Sequence, residues 1–92
     1  MADIYNDEIG VEWVNISNTV TFQDDTDYFI QNQGNSLLQA YTGETTPDVN
    51  TKLGVKIPPM MQGHYKVSDG ELYLKGVQGP CRVNISEAAT GA

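Results

Sequence analysis

Along Pro80-Cys81-Arg82-Val83-Asn84-Ile85-Ser86, apolar and polar side chains alternate without a break. A β-strand turns successive side chains to opposite faces, so this pattern fits a half-buried strand and no helix. Cys81, Val83 and Ile85 are expected to face a core, with Arg82, Asn84 and Ser86 outward. Other runs rich in β-branched and aromatic residues read as strands: Val11–Ile16, Thr19–Phe22, Asp27–Asn32, Ser36–Tyr41, Val55–Ile57, Gly63–Val67 and Glu71–Lys75. No window supports an amphipathic helix.

Turn chemistry separates the runs. Ser68-Asp69-Gly70 is expected to close a hairpin, because Asp-Gly tolerates the positive φ of a type I′ turn. Asp24-Asp25-Thr26, Gln33-Gly34-Asn35 and Gly76–Pro80 mark further breaks, and residues 42–51 form the longest loop. Seven or eight short strands at this spacing predict an all-β fold, a small antiparallel β-sandwich or barrel. The expected core is Trp13, Phe22, Ile30, Leu38, Ile57, Leu72, Leu74, Cys81, Val83 and Ile85. The expected organisation is an N-terminal arm at 1–9, one β-domain at 10–87 and a flexible tail at 88–92.

A chain of 92 residues makes one small domain. At that size only about 60–65% of the unfolded surface is buried, and an extra staple is usual. Cys81 is the only cysteine and His64 the only histidine, so an intrachain disulfide is excluded and a zinc site lacks ligands. Association with partner chains is the staple that remains.

Twelve acidic against five basic residues give a net charge of −7. Phosphate backbones and anionic membranes repel such a surface, so neither nucleic acid nor membrane is an expected partner. No stretch approaches the roughly 20 apolar residues of a membrane span. The start, Met1 to Glu8, is acidic where a signal peptide is basic, so the chain is expected to be made in a cytoplasm and not secreted. The sequons at Asn15 and Asn84 then have no glycosylation role.

Few residues suggest chemistry. Asp24-Asp25-Thr26-Asp27 has an acidic look, yet the calcium-loop pattern would need glycine and glutamate where Phe29 and Asn35 stand. It reads as an acidic turn. His64 has no nucleophile placed near it by any motif and reads as an incidental strand residue. No catalytic residue, cofactor or metal is assigned, and the chain is expected not to be an enzyme. Trp13 could meet a sugar face or an interface, or be the largest core residue.

Two segments read as contact surfaces. In Pro58-Pro59-Met60-Met61 the prolines pre-set an extended backbone, and the methionines either adapt to a partner or fold back into the core. The N-terminal arm carries Asp7 and Glu8 for charge steering and Ile4 and Tyr5 as anchors. As an arm, it should be removable without loss of β structure.

Trp13-Val14-Asn15-Ile16-Ser17, Asp27–Asn32, the turn at Pro58-Pro59, Leu72-Tyr73-Leu74-Lys75-Gly76 and Val83–Glu87 occur in an order similar to small β-rich virion proteins of tailed bacteriophages. The resemblance covers residues 11–87. It implies an accessory structural role in the virion: capsid decoration or cement, self-associating as a trimer or dimer and docking on the major capsid protein. A tail or neck component is the alternative within that class. A sugar-binding β-sandwich using Trp13 or surface tyrosines is the alternative outside it.

Overall fold

In the computed structural model, residues 3–47 and 54–87 are described. They form eight strands: β1 (Asp3–Ile9), β2 (Val14–Asn15), β3 (Asp27–Asn32), β4 (Leu38–Gly43), β5 (Val55–Ile57), β6 (Gln62–Lys66), β7 (Glu71–Gly76) and β8 (Cys81–Glu87). One sheet has the order β1-β8-β3-β6 and the other β2-β7-β4-β5, all pairings antiparallel. The fold is an all-β sandwich. Among the described strands, β4 and β5 are the only sequence neighbours that pair with each other; every other connection passes from one sheet to the other. The reason is hydrophobic. Each sheet has one apolar face, and a chain that changes sheet at almost every link closes those faces on one another.

The core follows the alternation. Cys81, Val83 and Ile85 of β8 are buried, as are Tyr28 and Ile30 of β3 and Leu72 and Leu74 of β7. Leu38, Ile57, Tyr65, Ile9, Ile16 and Val20 complete the cluster. Two expected core residues differ. Phe22 is only partly buried and packs edge-on against Tyr28 and Tyr65, with ring centroids 4.9 and 4.8 Å away. Trp13 sits outside the core, on the outer face of the second sheet beside Tyr41.

Thr19–Phe22, expected as a strand, is irregular. A 3-10 turn at Ile16–Asn18 precedes it, and the N–H groups of Thr19 and Val20 both donate to the Ile16 carbonyl. That turn drops Val20 into the end of the core, where the chain lacks a ladder to join. Ser68-Asp69-Gly70 is a turn but not a hairpin. Its strands, β6 and β7, belong to different sheets. A 3-10 turn at Val67–Asp69 and Gly70 at φ 113° carry the chain across instead. Glycine is required there, since other residues rarely hold that φ.

The expected arm is a strand. Asp3–Ile9 pairs along β8 from Asp3↔Ser86 to Ile9↔Cys81, with a register irregularity between Asp3 and Tyr5. Tyr5 and Ile9 share a face with Ile85 and Cys81, and Ile9 is buried. Truncation here would therefore remove an edge strand and not a loose arm. The second half of the 42–51 loop and the 88–92 tail lie outside the described residues.

One polar residue sits in the inward row. Asn32 is fully buried, and its carboxamide is satisfied: Nδ2 donates to the carbonyls of Ser36 (2.7 Å) and Ile57 (2.8 Å), and Oδ1 accepts from the Gly34 N–H (3.0 Å). It ties β3 of one sheet to β5 of the other.

Candidate functional site

The Pro58–Met61 segment links β5 to β6 and turns the chain from one sheet edge to the other. The Met61 N–H donates to the Pro58 carbonyl at 3.1 Å, closing a four-residue turn with Pro59 and Met60 in the middle. Met60 has φ 69°. A turn with positive φ at its third position favours glycine or asparagine, and a residue with a Cβ there is strained by about 1–2 kcal/mol. Pro59 supplies the φ that the second position wants. Met60 and Met61 do not fold back: they are 80% and 57% exposed. Pro58 and Pro59 are exposed with them. The result is an uncharged, apolar tip.

Of the N-terminal candidates, Ile4 and Tyr5 are partly buried and pack against the core cluster. Their apolar surface is already used within the chain. Burial, with the Asp7 carboxylate beside it, raises the Tyr5 phenol above its ordinary value. Asp7 and Glu8 are exposed. Asp7 pairs in register with Val83, so it stands on the inward side of an edge strand, where its Oδ1 accepts from the Glu8 N–H at 2.8 Å. An inward charge and a register irregularity are devices that keep an edge from accepting another strand. The acidic edge and the methionine tip lie at opposite sides of the β1-β8-β3-β6 sheet, so no single patch contains both.

The residue types that could do covalent chemistry are kept apart. His64 projects outward from β6, edge-on to Phe29 (5.9 Å), with Nε2 3.5 Å from Asp27 Oδ1. Lys66 shares that carboxylate at 3.8 Å. Cys81 is fully buried, and its Sγ lies 3.1 Å from the Ser36 carbonyl; burial pushes the thiol up from its usual range. Ser17 accepts the Leu72 N–H at 3.0 Å and lines a cleft of about 480 Å³ with Phe22, Tyr65, Glu44 and Glu71. Neither His64 nor Cys81 lines that cleft. Among the described residues, no cluster of His, Cys, Asp and Glu could hold a metal ion.

Trp13 does not form a flat platform. It meets Tyr41 at 61° (6.1 Å between centroids), Tyr41 meets Tyr73 at 54°, and the Lys75 amine stands 5.7 Å over the indole. Rings tilted against one another and topped by a cation offer no broad face to a sugar.

Sequence reasoning missed a feature of the other sheet. On its outer face, Asn6 pairs with Asn84, Asn84 with Gln31, and Gln31 with Gln62. One carboxamide from each strand thus forms a row across the sheet. In the next row Phe29 lies between Ser86 and His64. Alternation marks Gln31 and Asn84 as outward, but only the register places all four side by side.

Comparisons of the chain with protein-family models, with curated proteins and with solved structures gave no match.

Proposed function

We propose that this chain is a non-enzymatic accessory structural protein of a bacteriophage particle, a capsid-decoration or cement protein that self-associates and docks on coat subunits. The observation that carries this reading is the Pro58–Met61 tip. Two exposed methionines are presented on a turn whose backbone is set by two prolines and strained at Met60. Strain at an exposed position points to a role outside the fold's own stability. Methionine adapts to irregular surfaces, and a pre-set backbone lowers the ordering cost of binding. The separation of His64, Cys81 and Ser17 supports a non-enzymatic role. The resemblance to small phage virion proteins supplies the particle.

The placement of the two contact segments bears on assembly. A contact that used both the acidic β1 edge and the methionine tip would join opposite sides of neighbouring copies. Such a contact is heterologous, and a trimer is a ring it would make where its rotation closes; a dimer would use one patch twice. The test is co-sedimentation with purified particles, together with analytical ultracentrifugation of the free protein. Changing Met60 and Met61 together to Ser should weaken association while the far-UV spectrum stays β. Asp7→Asn with Glu8→Gln should weaken it mainly at low salt, because exposed charge pairs are screened. Unchanged association in both variants would remove the basis for this reading.

A further inference from the structure

We propose that the Pro58–Met61 tip of one copy of this chain docks in the cleft at the opposite end of a second copy. The inference rests on the self-association proposed above. It names the cleft, and not the β1 edge, as the surface that receives the tip, which leaves that edge to coat subunits.

Register puts the two surfaces at opposite ends of the sandwich. The backbones of Met60 and Met61 are hydrogen-bonded to Asn32, the last residue of β3. The cleft lies where β3 begins, beyond the Asp27↔Lys66 pair. The 6 residues of β3, at about 3.3 Å each, set the two roughly 17 Å apart. A tip cannot reach its own cleft, so the contact joins two copies.

The cleft suits the tip in size and chemistry. Its volume of about 480 Å³ has room for both methionine side chains, and Val20, Phe22, Tyr65 and Val67 give it an apolar lining. The Tyr65 hydroxyl already donates to the Gly70 carbonyl at 2.5 Å, so it makes no demand on the occupant. Phe22 is partly exposed, with its ring 4.9 Å from that of Tyr28 and 4.8 Å from that of Tyr65. A thioether sulfur packs favourably against such rings. On the other copy, Met60 and Met61 are 80% and 57% exposed on a turn without charge.

Charge sets the direction. Glu44 and Glu71 stand exposed on the rim of the cleft, and no basic residue lines it. Asp24, Asp25, Asp27, Asp69 and Glu87 gather at the same end. Lys66 is the only base there among the described residues, and it lies against Asp27 at 3.8 Å. Two such ends repel, so cleft does not face cleft. The tip end carries exposed Lys56, just upstream of Pro58, and exposed Arg82, whose strand partner is Glu8. A tip entering the cleft brings these cations toward Glu44 and Glu71. The contact is heterologous: a ring where its rotation closes, a chain of copies where it does not.

The test is sedimentation of the full chain over a wide concentration range, with particle binding measured separately. The parent is expected to associate as its concentration rises. Met60→Ser with Met61→Ser leaves a copy with a cleft and no tip. Thr21→Arg, at an exposed position of the lining, leaves a copy with a tip and an obstructed cleft. Glu44→Lys with Glu71→Lys does the same through charge and serves if Thr21→Arg folds poorly. Each variant alone should self-associate about tenfold more weakly or worse, as loss of a buried methionine side chain does. Mixed in equal amounts, the tip variant and a cleft variant should form a dimer of about the parent's affinity that grows no further, because one intact tip meets one intact cleft. A mixture that stays monomeric overturns the proposal, as does a parent that is monomeric up to about 1 mM. Particle binding lost in the tip variant, with a monomeric parent, would assign the tip to coat subunits; this inference would fall and the accessory-protein reading would stand. Self-association without particle binding would do the reverse.

Discussion

The backbone N–H of Met60 donates to the Asn32 carbonyl at 2.8 Å, and the Asn32 N–H donates to the Met61 carbonyl at 3.0 Å. This reciprocal pair clamps the exposed turn onto the end of β3 and holds Met60 in its left-handed conformation. Glycine at position 60 would relieve the Cβ strain and keep both bonds, since they use backbone atoms. Met60→Gly is therefore expected to gain about 0.5–1 kcal/mol in urea unfolding, net of the added freedom of the unfolded chain. It should at the same time weaken association. A stability loss above about 1 kcal/mol would show that the methionine side chain itself supports the fold.

Asn32 is the buried polar joint between the sheets. Asn32→Ala deletes three hydrogen bonds and takes the carboxamide from the Ile57 carbonyl, the Gly34 N–H and the Ser36 carbonyl, which keeps only the Cys81 thiol. A loss of about 3 kcal/mol is expected, measurable by chemical denaturation at constant m-value. A loss below about 1 kcal/mol would mean that water reaches these groups.

Neighbouring positions on β8 should behave oppositely. Val83 is fully buried, so Val83→Asp places a charge among apolar side chains and should abolish the cooperative melt. Asn84, one residue on, faces outward, and Asn84→Ser should change stability by less than about 1 kcal/mol. If both variants melt like the parent, the inward face of β8 is assigned wrongly.

Alkaline pH should destabilise the fold. Burial raises the Cys81 thiol above its unfolded value; Tyr65 is also raised, first by burial and then by nearby carboxylates at Asp69 and Glu71. A raised folded-state value means that the folded chain keeps its proton longer than the unfolded chain. The stability is full below the ordinary thiol and phenol values and is lost as pH rises through the folded ones. Melting temperature should be flat across neutral pH and fall above about pH 9. Cys81→Ala should reduce the fall, and Cys81 should resist thiol reagents until the protein unfolds. An equally steep fall in Cys81→Ala would assign the effect to the tyrosines.

The setting of the two candidate contact segments is only partly legible in sequence. The prolines and methionines of 58–61 announced an unusual turn, but whether its methionines pointed out depended on the corner between β5 and β6. In sequence, Ile4 and Tyr5 read as anchors for a partner because their own partner, β8, is more than 70 residues away in the chain. The same distance hid Asp7's inward position.

Local chemistry determined what needs only neighbours in sequence. Alternation along Asp27–Asn32 and Cys81–Ser86 set which side chains turn to the core, because a strand's faces follow from its own backbone geometry. Long-range pairing decided the rest. Gly70 permits a turn, but only packing determined that β6 and β7 would leave that turn into different sheets. Asn6, Gln31, Gln62 and Asn84 became one row only when four strands adopted their register. Register is selected by burial of the opposite face, where Tyr28, Ile30, Val83 and Ile85 must meet the core together. Slipping a strand by one residue would expose that apolar set, so the polar row on the outside is a consequence of packing on the inside.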